Sequence, residues 1–381
     1  MQQVTRTANR ELIEPKGEPV LTLYIPTHRH PTPPHMKEDQ MRFKNLVRDG
    51  LEKWGAQLAV PREIKSELDE LQNNVEFWQA SLECLAVFID TNGIRYDRLP
   101  IECEERIYVG ERFDVTPLLL VESMSQPVYV FALSMHFPKL YEASLYDIQE
   151  LDAGLPKNLE EALNIDEMFI NSNTIRGGRI AGSRAVAPHG QGDSSEAGRE
   201  ERLMYLRLLD EKIRTMPDFD ASRPMIIAAT DTEFGDFRAQ SELSTILDAH
   251  IPGSHTTTPT NELHAMVNDV LHKHIVEPRQ KEAIDRIGEG VGQGKTSRLF
   301  DDISSAAQDG RVHQLLLPMI DHTADSVNDS SPTAPLIRYP KQFDKGLFAA
   351  IADTVTQGGS ILGVQRNIHM PLTEVAADYR Y

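Results

Sequence analysis

Apolar residues recur every three or four positions along two stretches near the start of the chain, and this spacing predicts two amphipathic helices. The first stretch holds Phe43, Leu46, Val47, Leu51, Trp54 and Leu58. The second opens at Pro61, a residue favoured at a helix start, and holds Ile64, Leu68, Leu71, Val75, Trp78 and Leu82. Because only a short turn separates the two stretches, they predict an antiparallel helical hairpin.

Runs of β-branched and aromatic residues surround this hairpin and predict strands. The runs are residues 19–26, 84–90, 94–99, 106–109 and 117–121. Asn92-Gly93 lies between the second and third runs and is a strong signal for a β-hairpin turn. The strands and the helical hairpin together predict an N-terminal α+β domain over residues 1–125.

The next part of the chain alternates strand and helix patterns. Residues 127–134 and 140–148 predict two paired strands, and residues 224–231 predict a buried third strand. Before the third strand, a helix face is predicted by Leu203, Leu206, Leu209 and Ile213. Residues 237–247 predict a helix after it. Strands with helices packed on them indicate a mixed-sheet α/β domain over residues 126–250.

A break rich in proline, glycine and threonine, residues 251–261, precedes a third region. Helix patterns follow at 263–271, 282–287, 298–308 and 345–354, and strand patterns at 311–317 and 360–365. Gly310 follows the third helix pattern, at a place where glycine commonly ends a helix. The alternation predicts a C-terminal α/β/α sandwich domain over residues 251–381.

The chain is strongly acidic, with a formal net charge of −19. It should not coat duplex DNA, because phosphate binding needs clustered Lys and Arg, although a local basic patch could still contact RNA. Two cysteines, Cys84 and Cys103, are too few for a Cys-based zinc site, and we expect both to be free thiols. No apolar stretch approaches the length that spans a bilayer, so we expect a soluble, cytoplasmic protein.

A glycine- and arginine-rich segment, residues 174–202, interrupts the middle region. Arg176, Arg179 and Arg184 precede any acidic residue in it, so they form a small cationic island suited to phosphate contacts. Its tip is His189-Gly190-Gln191, and the amphipathic helix follows directly. Glycine lets a backbone approach another molecule closely, which favours a functional loop, although the composition also fits a plain surface loop.

Two other motifs fit a functional site less well. Gly288–Thr296 imitates a phosphate-binding loop, but Glu289 stands where the first glycine is needed and the segment follows a helix. We therefore expect an ordinary helix-to-helix loop. His28, His30 and His35 have no acidic or cysteine partner at ligand spacing, so a plain loop is expected there, without a metal.

The chain resembles the bacterial branch of the archaeo-eukaryotic class-one peptide-chain release factors, a family that includes the Pelota-type rescue proteins. The similar stretches are Gly190-Gln191, PVYVFALS (127–134), PMIIAATDTEFGDF (224–237), DDISSAAQDGRVHQLLLP (301–318) and EVAADYRY (374–381). In that family a Gly-Gly-Gln tripeptide lies on a mobile loop of an RNase H-like middle domain, just before a long helix. The resemblance therefore implies an RNase H-like fold for residues 126–250.

The resemblance also implies a reaction, which is hydrolysis of the peptidyl-tRNA ester on the ribosome during translation termination or ribosome rescue. It implies catalytic roles for His189, Gly190 and Gln191. The RNA-binding residues would be Arg176, Arg179 and Arg184. The implied partners are the ribosome, peptidyl-tRNA and a translational GTPase, and no metal or cofactor is implied.

Two departures from the family pattern keep an alternative open. His189 replaces the first glycine of the tripeptide, and the codon-reading Asn-Ile-Lys-Ser is not intact. Ile64-Lys65-Ser66 follows Glu63, but a match of three residues is readily a coincidence. Rescue or specialised release is therefore favoured over ordinary termination. The alternative is a non-catalytic, Pelota-like protein that binds the ribosome or RNA.

Overall fold

Residues 11–125 build a four-stranded antiparallel sheet with helices packed against it. The structure, a computed structural model, describes residues 11–163, 194–319, 345–365 and 375–381. The strand order is β3-β2-β1-β4. The strands are β1 (Val20–Pro26), β2 (Cys84–Asp90), β3 (Gly93–Leu99) and β4 (Arg106–Gly110). The predicted helical hairpin is confirmed as α1 (Pro33–Gly55) and α2 (Arg62–Asn73).

The second predicted helix breaks at Asn74, which has extended backbone angles (φ −81°, ψ 104°). The Asn74 side chain accepts a hydrogen bond of 3.0 Å from the Phe77 backbone N–H and so caps a new short helix, α3 (Val75–Gln79). Because of this break, Val75 is 53% exposed and the prediction that it lies on the buried face is wrong. Trp78 is fully buried, as predicted.

Residues 117–121, predicted as a strand, belong to a helix, α4 (Thr116–Met124). The buried Asp114 carboxylate accepts a hydrogen bond of 3.2 Å from the Thr116 N–H, and Pro117 occupies the first turn. Leu118, Leu119 and Leu120 are all buried, so the helix has no polar face in this run. A helix without a polar face has no 3.6-residue pattern, and periodicity alone cannot distinguish it from a buried strand.

The expectation of two free thiols is also wrong, because Cys84 and Cys103 form a disulfide with a Cα–Cα distance of 5.8 Å. Cys84 begins β2 and is fully buried, and Cys103 lies in the connection between β3 and β4. The bridge therefore ties this connection to the sheet. A count of cysteines gives no information on which of them are neighbours in space.

Residues 126–276 form a five-stranded mixed sheet in the order β7-β6-β5-β8-β9. β5, β6 and β7 are antiparallel neighbours, whereas β8 and β9 run parallel to β5. This is the arrangement of an RNase H-like sheet, so the predicted fold of the middle region is confirmed. The strands are β5 (Val128–Ala132), β6 (Lys139–Ala143), β7 (Ile148–Leu151), β8 (Met225–Ala229) and β9 (Ile251–Pro252).

Besides a helical stretch at residues 159–163, the described residues of the middle part contain three longer helices, and two predicted elements need correction there. The helices are α5 (Ser194–Arg214), α6 (Asp231–Gln240) and α7 (Thr260–Leu271), and a π-helical turn (His272–Val276) follows α7. The single strand predicted over residues 140–148 is divided between β6 and β7. The helix predicted over residues 237–247 begins six residues earlier, because Thr230 and Glu233 form a capping box that starts α6.

The last part of the chain contributes a four-stranded mixed sheet in the order β10-β13-β11-β12. Its strands are β10 (Thr296–Ser297), β11 (Val312–Met319), β12 (Ser360–Gln365) and β13 (Ala376–Tyr379). Its helices are α8 (Glu277–Gly290), α9 (Phe300–Gln308) and α10 (Lys345–Thr356). Gly310 has a φ of +69° just after α9, as predicted for a helix end.

The chain divides into two compact units, one of residues 1–125 and 277–381 and one of residues 126–276. In the first unit, Arg112 Nη1 lies 2.6 Å from Asp353 Oδ1, and the rings of Tyr108 and Phe348 are 5.0 Å apart. The division into three domains at 1–125, 126–250 and 251–381 stays a prediction. No helix among the described residues is long and apolar enough to cross a bilayer.

Candidate functional site

The six residues singled out from the sequence lie outside the described residues. They are Arg176, Arg179, Arg184, His189, Gly190 and Gln191. The structure does describe the chain on both sides of them, up to residue 163 and again from residue 194. The described part of the candidate site is therefore limited to the two stretches that flank this segment. These two stretches together are called the frame.

The upstream side of the frame is a helical stretch, residues 159–163, that begins at Asn158. Asn158 Oδ1 accepts a hydrogen bond of 2.9 Å from the Glu161 N–H, and the Glu161 carboxylate accepts one of 2.7 Å from the Lys157 N–H. The two bonds satisfy backbone donors that a helix start otherwise leaves unpaired. Ala162 is buried in the core of the middle unit, so this stretch is anchored.

The downstream side of the frame is α5, which is anchored by its apolar face. Leu206, Leu209 and Ile213 are fully buried in the same core. Tyr205 is fully buried as well, and its hydroxyl donates a hydrogen bond of 2.7 Å to the carbonyl of Pro156. This bond joins the two sides of the frame, since Pro156 lies just before the upstream helical stretch.

Burial raises the pKa of the Tyr205 hydroxyl, and the nearby Glu161 carboxylate raises it further. A raised pKa means that this hydroxyl keeps its proton and remains a donor at neutral pH. The link to Pro156 therefore does not depend on pH in the physiological range.

Ion pairs connect α5 to the following helix, α6, and to the segment after it. Arg202 Nη2 lies 2.7 Å from Asp236 Oδ2. The Asp210 carboxylate, almost fully buried, pairs with Arg214 Nε at 2.8 Å and also accepts a hydrogen bond from the Ser241 hydroxyl. Because these contacts lie along the length of α5, they fix the direction in which the helix leaves the candidate segment.

The glycine-rich segment 288–296 does not have the order of a phosphate-binding loop. α8 ends at Gly290, a turn follows, and β10 begins at Thr296. The phosphate-binding motif needs a strand before the loop and the start of a helix after it. The expected ordinary loop is confirmed, although it joins a helix to a strand and not two helices.

The histidine-rich segment has an acidic partner on α1 that was not predicted from the sequence. His28 Nδ1 lies 2.8 Å from Asp39 Oδ1, and the rings of His28 and His35 stack at 4.3 Å with 9° between their planes. Imidazole nitrogens bind a metal in the plane of the ring, so two parallel stacked rings cannot converge on one ion. Asp39 is fully buried on the apolar face of α1. An acidic residue at an apolar helix position was the sequence signal for this pair. No group of three or more potential metal ligands occurs among the described residues.

The tripeptide Ile64-Lys65-Ser66 lies near the start of α2. Ile64 is only 2% exposed and belongs to the core of the N-terminal sheet, whereas Lys65 and Ser66 are exposed. The isoleucine therefore has a packing role.

Comparisons with known proteins point to translation factors. Residues 127–311 match the family model described as "Bacterial archaeo-eukaryotic release factor family 3". Among solved structures, archaeal translation termination factor aRF1 is 13% identical, with 95% of this chain and 92% of that chain covered and a TM-score of 0.24. Thermoplasma acidophilum Pelota is also 13% identical, with 78% and 80% covered and a TM-score of 0.25. S. cerevisiae Dom34, a translation termination-like factor, is 11% identical, with 97% of each chain covered and a TM-score of 0.35. A comparison with the curated proteins gives no match.

Proposed function

Because the chain belongs, over residues 127–311, to the bacterial archaeo-eukaryotic release factors, we propose that it acts on the ribosome as a peptide-release or ribosome-rescue factor. The observation that carries the proposal is the position of Gly190-Gln191 inside this matched region, directly before α5. The proposed reaction is hydrolysis of the ester that joins the nascent peptide to tRNA.

The proposed chemistry needs little from the protein beyond a well-placed backbone. The Gln191 backbone N–H would donate a hydrogen bond to the oxyanion that develops as water attacks the ester. Its side chain would position that water, and Gly190 would let the main chain pass close to the end of the tRNA. Loss of one oxyanion donor typically costs about 2.7–4 kcal/mol of barrier.

The frame of the middle unit supports this proposal because the described residues on its two sides are held together. The Tyr205–Pro156 hydrogen bond joins its two sides, and the Arg202–Asp236 pair ties the middle of α5 to α6. Both features lower the entropic cost of bringing a loop tip to one place. Arg176, Arg179 and Arg184 would contact RNA phosphates, which would set the position of the tip along the RNA.

The direct test compares Gln191→Ala with the wild-type protein in single-turnover peptide release from stalled ribosomes. We expect the variant to bind ribosomes with unchanged affinity and to release peptide more slowly. Release at the wild-type rate would exclude a role for the Gln191 side chain.

His189 favours a second candidate, a ribosome-binding factor that does not hydrolyse the ester. A side chain at this position makes the loop backbone less permissive than the glycine of the family tripeptide. Co-sedimentation with ribosomes followed by a hydrolysis assay on the bound fraction separates the two candidates. Binding without release, together with a gain of release in His189→Gly, would establish the non-catalytic function.

The proposal includes the ribosome and peptidyl-tRNA as partners, a translational GTPase as a delivery factor, and a cytoplasmic location. A GTPase would be detected as a protein that increases ribosome binding of this chain in the presence of GTP and not of GDP.

A further inference from the structure

A bulky aromatic side chain is held on the surface of the middle unit in an unfavourable backbone conformation. Phe137, in the turn between β5 and β6, has a φ of +57° and its side chain is 61% exposed. Left-handed backbone is rare for a large residue, and the following Pro138 also disfavours it. A hydrogen bond of 2.8 Å from the Phe137 N–H to the Lys157 carbonyl fixes the turn.

Neither stability nor turn chemistry explains phenylalanine at this position. Glycine or asparagine would adopt the same φ at lower cost, and a mostly exposed ring gains little from burial. Backbone strain of this kind, retained at an exposed position, is a reason to look for a function of the side chain.

The surroundings of Phe137 favour a polyanion with flat apolar groups. A groove of about 460 Å³ begins at the next residue and is lined by residues 138–140 and 150–155. The side chain of Lys212 lies beside Gly154, which lines this groove. Lys157 is the residue whose backbone carbonyl accepts the hydrogen bond from the Phe137 N–H. Neither ammonium group has an acidic partner within the described part of the chain.

Three of the acidic residues nearby accept hydrogen bonds from donors of the chain itself. Glu150 accepts a hydrogen bond of 3.0 Å from Lys139, and this bond raises the pKa of the lysine. Asp152 accepts one from the Gly154 N–H, and Glu161 accepts one from the Lys157 N–H. Lys157 and Lys212 thus form no ion pair among the described residues of a protein that is strongly acidic.

We propose that Phe137, with Lys157 and Lys212, forms an RNA contact on the middle unit that is separate from the Gly190-Gln191 tip. The ring stacks on an unpaired base, and the two ammonium groups bind the adjacent phosphates. The base comes either from the single-stranded end of tRNA or from ribosomal RNA. This inference rests on the proposed function, since it assumes that the middle unit meets RNA.

The test measures the affinity of the full-length protein for ribosomes, for protein-free ribosomal RNA, and for tRNA with and without its single-stranded 3′ end. Phe137→Gly should weaken binding by about 5- to 150-fold, the loss expected for one stacked base. Glycine accepts the φ of this position, so misfolding would not explain the loss. Phe137→Trp should retain affinity and lose tryptophan fluorescence on binding, against a constant background from the buried Trp54 and Trp78.

Matched variants separate stacking from charge. Tyr381→Ala removes another exposed aromatic ring and should leave RNA affinity unchanged. The double variant Lys157→Gln, Lys212→Gln should lower the salt dependence of binding by about 0.7 per lost single-strand phosphate contact, whereas Phe137→Gly should leave it unchanged.

Each result decides the inference. Loss of affinity for tRNA only when its 3′ end is present would identify tRNA as the source of the base, and loss on free ribosomal RNA would identify the ribosome. Unchanged RNA affinity in Phe137→Gly would overturn the inference, while peptide release by the wild type would leave the proposed function intact. Weakened binding to ribosomes alone, with both RNAs unaffected, would show a protein partner and also overturn it. A wild-type protein that binds none of these probes would overturn both proposals.

Discussion

Tyr205→Phe tests the hydrogen bond that joins the two sides of the frame around the candidate segment. The substitution keeps the buried ring and removes only the hydroxyl, which donates to the Pro156 carbonyl at 2.7 Å. Both residues are buried, so the carbonyl loses its partner and cannot reach water. An unsatisfied buried acceptor costs about 1–3 kcal/mol, and we expect the middle unit to lose stability by that amount.

Hydrogen exchange read by mass spectrometry is the suitable assay, because both tryptophans lie in the N-terminal sheet region and do not report on the middle unit. Peptides that cover residues 205–213 should exchange about 5- to 150-fold faster in the variant, which is the same energy expressed as a rate ratio. If the frame also positions the catalytic tip, peptide release should slow while ribosome affinity stays unchanged.

Tyr146→Phe is the matched control in the same unit. Tyr146 is also buried, but its hydroxyl has no hydrogen-bond partner among the described residues. Removal of an unpaired buried hydroxyl should be neutral or slightly stabilising. Equal exchange rates in the two variants would refute the claim that the Tyr205 hydroxyl ties the frame together.

Three further predictions concern the same unit. Asp210→Ala removes the carboxylate shared by Arg214 and Ser241 and should destabilise the unit by about 2–3 kcal/mol. The partial exposure of Arg214 limits this value. Unchanged hydrogen-exchange rates along α5 and α6 would contradict the prediction. Burial raises the pKa of Tyr146 and Tyr205 above the unfolded value, so stability should be constant below about pH 10 and fall above it as the unfolded chain ionises first. Circular dichroism from pH 8 to 11 measures this, and a fall of the same size in the double variant Tyr146→Phe, Tyr205→Phe would argue against it. Phe137→Gly should raise the melting temperature, because it relieves about 1 kcal/mol of backbone strain, and a lower melting temperature would show that the ring is a packing residue.

Elements with a strong local signal were predictable from the sequence. The helical hairpin α1–α2, the hairpin strands β2 and β3 and the strand β8 follow from periodicity and turn residues that act locally. The strand order of the RNase H-like sheet followed only from the resemblance, because pairing between β5 and β8 joins residues almost a hundred positions apart.

The failures have physical reasons that are visible in particular residues. Residues 116–120 are all buried, so the first part of their helix lacks a polar face. Asn74 ends one helix and caps the next through a single side-chain bond, which a hydrophobic pattern does not report. The Cys84–Cys103 bridge, the His28–Asp39 pair and the Tyr205–Pro156 bond each depend on contacts made only after folding.

The candidate site rests on glycine, arginine and tripeptide identity and stays a prediction, whereas its frame carried no signal in the sequence. Gly190-Gln191 is readable in the sequence, but Pro156 and Tyr205 carry no local sign that they meet. The conformation of Phe137 was likewise not predictable, because its distinguishing feature is a backbone angle.

The most direct measurement is single-turnover peptide release from stalled ribosomes by the wild-type protein and by Gly190→Val. The account predicts release by the wild type and a rate about 100- to 1,000-fold lower for the variant, because a branched side chain keeps the Gln191 N–H from the developing oxyanion. Equal rates for the two proteins, with ribosome binding verified for both, would contradict it.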